Sequence, residues 1–144
     1  MDSKSTKRVT TVVSDIIIER PKVDVWAVLK PIGEIEKFHP LVKKSFLTSK
    51  QENGLGAKRL CELLPTGQME EEVIKWEEDS SFITSVIGGK MLPPFIFMMG
   101  EVNIEEMNGA TKVTFSFSYE LKYGMLGRLM NTLFVKRQFE KGPP

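Results

Sequence analysis

Thr111-Lys112-Val113-Thr114-Phe115-Ser116-Phe117-Ser118-Tyr119-Glu120-Leu121-Lys122-Tyr123 is the stretch that decides the fold. Val113, Phe115, Phe117, Tyr119 and Leu121 are apolar or aromatic, while Lys112, Thr114, Ser116, Ser118, Glu120 and Lys122 between them are polar. A period of two sends these sets to opposite faces of a sheet. Gly124 ends the alternation. Leu126, Leu129, Met130, Leu133 and Phe134 then recur at three- and four-residue steps, as the stripe of an amphipathic helix does. A sheet face rich in Phe and a helix stripe rich in Leu and Met both need apolar cover, and the economical solution is that they cover each other. A long curved sheet closed over one helix leaves space between them, and a ligand can occupy that space.

Upstream, Thr10–Arg20 is rich in β-branched residues and reads as a first strand. Pro21 stops it and opens a short helix over Val23–Leu29, which Pro31 ends. A second short helix is expected over Gly33–Lys37, followed by the Phe38-His39-Pro40 turn. Further strands are expected near Val42–Lys50, Ala57–Leu64, Gln68–Glu77, Ser81–Ile87, Met99–Met107 and Thr111–Tyr123. Asn53-Gly54, Pro65-Thr66-Gly67, Gly88-Gly89 and Asn108-Gly109 supply the turns between them. The expected architecture is α+β: a seven-stranded curved antiparallel sheet wrapped around a long C-terminal helix, with two short helices after the first strand. Residues 1–9 read as a flexible tail and 10–144 as one domain of the 144-residue chain.

Charged residues make up 27% of the chain and the net charge is +1, a balance that argues against a general nucleic-acid binder. The longest apolar stretch, Met91–Met99, is broken by Pro93 and Pro94 and falls far short of the roughly 20 residues that span a bilayer, so no stable membrane insertion is expected. The polar start, Met1–Arg8, holds no apolar signal region, and the single cysteine, Cys61, has no internal disulfide partner. These features point to a cytoplasmic protein.

Several local patterns, in this order, resemble the helix-grip (SRPBCC, START-like) superfamily: Ile18-Glu19-Arg20-Pro21 with Val25-Trp26, then Phe38-His39-Pro40-Leu41-Val42, then Gly54-Leu55-Gly56-Ala57-Lys58-Arg59. Glu71-Glu72-Val73 and the closing Tyr119–Gly127 segment complete the match, which covers residues 10–140. The superfamily includes START lipid-transfer domains, birch-pollen allergens, polyketide cyclase/dehydrase-like proteins and plant abscisic acid receptors. The resemblance implies an internal cavity for an apolar or amphipathic small molecule. Ser85-Val86-Ile87-Gly88-Gly89 is similar to the loop that closes over hormone in the plant receptors, and Leu64-Pro65 to the facing loop. Lys90-Met91-Leu92-Pro93-Pro94 departs from the polar pattern those receptors carry next, which counts against hormone perception.

The resemblance also marks Lys43 and Glu71 as positions where related members place charged groups inside the pocket. Both equally read as solvated charges, since Lys44 adjoins Lys43 and Glu71 lies in the run Glu70-Glu71-Glu72. Arg59 shares a strand face with Ala57, Cys61 and Leu63, so it either meets an anionic ligand group or snorkels to the strand end to pair with a carboxylate. Tyr119 shares a face with Phe115 and Phe117 and is either a polar handle in an apolar lining or a core tyrosine. Phe117, Leu126, Met130 and Leu133 are expected on the pocket wall. Phe95, with Phe97, Met98 and Met99, forms either a lid or partner-binding patch, or the start of a strand. His39, the only histidine, reads as a turn-supporting residue, and one His with one Cys makes no metal-ligand set. No catalytic residue, cofactor or metal is expected.

Three functional classes follow. The leading one is a binding or transport module for a hydrophobic or amphipathic small molecule, which is lipid-like, polyketide-like or hormone-like. The second is an enzyme of the cyclase/dehydratase kind acting in the same cavity, which needs a positioned acid–base pair. The third is an interaction protein that uses Pro93–Met99 to bind another chain or form a homodimer.

Overall fold

The computed structural model describes residues 9–122. The expected C-terminal helix, with Leu126, Met130 and Leu133, lies outside them, as does the tail 1–8. The chain runs through β1 (Thr10–Ile18), α1 (Lys22–Leu29), a 3-10 helix (Ile32–Lys37), β2 (Val42–Leu47), β3 (Lys58–Leu63), β4 (Gln68–Glu77), β5 (Ser81–Lys90), β6 (Phe95–Met107) and β7 (Ala110–Leu121). The strands form one seven-stranded antiparallel sheet in the order β1-β7-β6-β5-β4-β3-β2. The two helices bridge its two edge strands, and this is the only non-hairpin connection in the described sheet.

The alternation that opened the sequence reading sets the faces. Val113, Phe117, Tyr119 and Leu121 are buried on the inner face. Val12 pairs with Phe117 and Ile16 with Val113, so β1 lays its own apolar row beside theirs. Bulges lie between Val42 and Lys44, Glu70 and Glu71, Val73 and Lys75, and Phe95 and Phe97. Each bends its strand, and together they curve the sheet. The β6–β7 hairpin turns at Asn108-Gly109, both at positive φ, the combination a tight two-residue turn requires.

β1 and β2 end earlier than expected, at Ile18 and Leu47, and two further boundary differences move a turn. Gly88-Gly89 is no turn: β5 continues to Lys90, with Glu70 opposite Gly88 and Met69 opposite Gly89. A Cβ on Gly89 would collide with the Gln68 carbonyl, so glycine here permits close strand approach. The chain instead reverses around Met91 at positive φ and Pro93-Pro94, and β6 starts at Phe95 rather than Met99. Of the two readings of this segment, the strand is the observed one. Phe95 and Met98 pack with Met69, Val86, Phe117, Tyr119 and Leu121 in one apolar cluster.

A second cluster joins α1 to the other end of the sheet through Val25, Trp26, Leu29, Ile32, Val73, Phe82, Ile104 and Val113. Trp26 lies 5.3 Å from Trp76 and 6.1 Å from Phe82, and Trp76 stacks on Phe82 at 5.2 Å. Glu78 ties the group together by accepting from Trp26 Nε1 (3.2 Å), Trp76 Nε1 (2.8 Å) and Lys30 Nζ (2.6 Å). The helix is thereby fixed against the strands, and the middle of the inner face is left between the two clusters.

Candidate functional site

The middle of the inner face is polar at its base. Arg59 on β3 and Glu71 on β4 are direct cross-strand partners. Alternation along Gln68–Val73 turns Glu71 inward and buries it, while Glu70 and Glu72 remain partly exposed. Arg59 Nε donates to Glu71 Oε1 at 2.9 Å, and Arg59 Nη1 donates to the Ile32 carbonyl at 3.0 Å. Thr84 Oγ1 donates to Glu71 Oε2 at 3.2 Å, and Cys61 Sγ lies 3.8 Å from Glu71 Oε1. Both charged side chains are about 5% exposed (6% and 5%). A buried ion pair persists when geometry and extra hydrogen bonds offset its desolvation, and the Ile32 and Thr84 bonds supply them.

This network lies in a cavity of about 90 Å³, walled by Val12, Leu63, Met69, Phe82, Val102, Phe115 and Phe117 and lined also by Ile35, His39, Leu41 and Val42. Gly100 stands opposite Thr84 on one side and Phe117 on the other, and its missing side chain helps hollow the floor. A second cavity, about 450 Å³, lies between α1 and the β1–β7 edge. Its wall is apolar, formed by Ile16, Ile18, Val25, Val28, Leu29, Phe38, Val113 and Phe115, with Arg20 and Asp24 paired at 3.5 Å among its lining residues. Phe115 lines both cavities.

The electrostatics are those of buried side chains. Burial pushes the Cys61 thiol up to about 12, and the neighbouring Glu71 charge adds to the effect, so Cys61 stays protonated. Burial, and then the Arg59 charge, lower the His39 pKa from its usual value and keep the ring neutral. His39 Nδ1 accepts the Leu41 amide at 3.2 Å, the turn-supporting role expected of it, while the ring also walls the cavity. For Arg59, burial alone would depress the pKa. The charge and hydrogen bond of Glu71 outweigh it and the net direction is upward, so the guanidinium stays charged.

Of the residues singled out from sequence, Arg59, Glu71 and Phe117 meet in the first cavity. Tyr119, fully buried, lies tilted beside Phe117 at a ring distance of 5.6 Å in the adjoining cluster, and Phe95 packs on the same cluster. Lys43 is a correction. The bulge between Val42 and Lys44 breaks the alternation of β2, and Lys43 and Lys44 are both exposed. Leu126, Met130 and Leu133 fall outside the described residues. Sequence reasoning missed Thr84 and Gly100. Thr84 carried a signal, since it shares parity with Phe82 and Val86 and so had to be a polar group on the inner face. Among the described residues, no helix is long and apolar enough to cross a membrane.

The chain is similar to several solved structures. One is major latex-like protein 151 from Panax ginseng, at 15% identity over 93% of this chain and 97% of that one, with a TM-score of 0.69. Another is a START superfamily protein from Mycobacterium smegmatis, at 12% identity over 91% and 87%, with a TM-score of 0.69. A third is XoxI from Bacillus cereus, at 12% identity over 90% of each chain, with a TM-score of 0.66. At such identities the likeness is one of fold. No curated protein matches the sequence. The model of the family described as polyketide cyclase / dehydrase and lipid transport matches residues 9–142, nearly the whole length, and the chain belongs to that family.

Proposed function

We propose that this protein binds a hydrophobic or amphipathic small molecule on the inner face of its sheet, in the cytoplasm. The observation that carries the reading is the pair of cavities that share Phe115: a roomy apolar one, and a small one with the buried Arg59–Glu71 pair at its base. Ligand sites commonly occupy about 300–1,000 Å³ and combine an apolar wall with a few fixed polar groups. The larger cavity supplies the volume and the smaller the polar groups. An apolar body burying about 300 Å² would gain roughly 7 kcal/mol before entropic costs. Lipid-like and polyketide-like molecules both fit that description, and the family's own description spans both. Arg59, Glu71 and Phe117 are the proposed contacts, with Tyr119 and Phe95 supporting the wall behind Phe117.

Binding is favoured over cyclase/dehydratase catalysis by what the polar groups are already doing. Both Glu71 oxygens accept hydrogen bonds within the protein, and Cys61 is held as a thiol. Neither is poised to move a proton. Native mass spectrometry of the protein isolated from its own host tests the proposal. A retained small molecule of defined mass, released on denaturation, is the expected result. An empty protein that also fails to enhance the fluorescence of N-phenyl-1-naphthylamine at micromolar concentration would end the reading.

A further inference from the structure

We infer that the cavity selects apolar molecules whose polar group is an uncharged hydrogen-bond acceptor, such as a ketone, ester or lactone carbonyl, and discriminates against carboxylates. The inference rests on the binding reading above and adds the class of head group.

The argument starts from Arg59. Its side chain is 6% exposed and lines the cavity. A guanidinium carries five N–H donors. Among the described residues, Nε–H goes to Glu71 and one Nη1–H to the Ile32 carbonyl. The other donors belong to a buried cation at the cavity floor, where an incoming acceptor oxygen can meet them. A buried lone cation would favour an anion. Here the countercharge is built in, because Glu71 Oε1 lies 2.9 Å from Arg59 Nε. The pair offers donors without net charge.

The rest of the described lining adds no positive charge. His39 is neutral, Cys61 is a thiol, and the remaining ionisable residue is Glu101. A ligand carboxylate would enter a low-dielectric space that already holds a carboxylate, and it would lose its own hydration without gaining a cation of its own among the described residues. A carbonyl gives up far less hydration and accepts the same N–H donors. The cavity of about 90 Å³ has the volume of a few water molecules, enough for a small head group. The larger cavity behind Phe115 takes the apolar tail.

The test uses matched competitors against the neutral fluorophore N-phenyl-1-naphthylamine at about pH 8. These are 2-undecanone and decanoate, which differ in a methyl group exchanged for a carboxylate oxygen. The ketone should displace the fluorophore at a concentration lower by about tenfold or more, the scale expected for desolvating an unpaired charge. Equal or better displacement by decanoate overturns the inference while leaving the binding reading standing. A fluorophore that never binds overturns both. Glu71→Gln provides the second measurement, since it removes the countercharge and keeps the shape. In that variant decanoate should gain on the ketone by about tenfold or more. An unchanged ratio would overturn the assignment of selectivity to the ion pair.

Discussion

Arg59 Nε and Glu71 Oε1 lie 2.9 Å apart on neighbouring strands, both buried, at the base of the cavity. Removing one partner leaves the other charge buried and alone. Arg59→Met or Glu71→Leu should each lower the unfolding free energy by about 3–5 kcal/mol, and the double variant should recover most of that loss. Urea denaturation of the four proteins checks it. Additive single losses, with no recovery in the double variant, would show that the two charges act independently.

Cys61 tests the burial of β3 at the same site. With its thiol pushed up to about 12 and its side chain buried, it should not react with Ellman's reagent in the folded protein at neutral pH, and it should react fully once the protein is unfolded. Rapid labelling under native conditions would mean that β3 opens to solvent.

The sheet was legible because alternation along Val113–Leu121 needs no tertiary knowledge, whereas Glu71 was marked by the family resemblance, and the structure is what shows it alone of its glutamate run turned inward. Lys43, marked by the same resemblance, is exposed because a register shift between Val42 and Lys44, which carries no mark in the sequence, breaks the parity of β2. Gly88-Gly89 had turn chemistry, but Gly89 serves a close strand approach, a requirement set by Gln68 on the neighbouring strand. His39 and Gly100 joined the cavity through packing between distant segments, which local pattern does not encode.

Glu78 gives a pH dependence with a definite sign. Its hydrogen bond from Lys30, then that from Trp76, hold its carboxyl below the usual carboxylate value. A folded pKa below the unfolded one stabilises above the unfolded value, and the contribution is lost as pH falls through the folded value. Wild type should therefore exceed Glu78→Gln in stability at neutral pH, and the gap should close in acid below the ordinary carboxylate range. Tryptophan fluorescence follows it directly, because both indole N–H groups donate to this carboxylate. A gap that is constant with pH would remove the charge from the explanation.

Gly100→Ala separates binding from folding. A Cβ at this position would meet Thr84 Oγ1 at 3.4 Å and a Phe117 ring carbon at 3.8 Å, both ordinary contacts, and its φ is not in the left-handed region. Glycine inside a strand costs roughly 0.5–1 kcal/mol relative to alanine, so the variant should be slightly more stable than wild type. The added methyl projects between Thr84 and Phe117, into the volume assigned to the ligand head group. Thermal melting should rise by a few degrees, on the scale expected for a stabilisation of that size, while the affinity for 2-undecanone falls. Unchanged affinity alongside higher stability would mean that the head group lies elsewhere on the inner face. Lost stability would mean that the floor beside Gly100 is already filled.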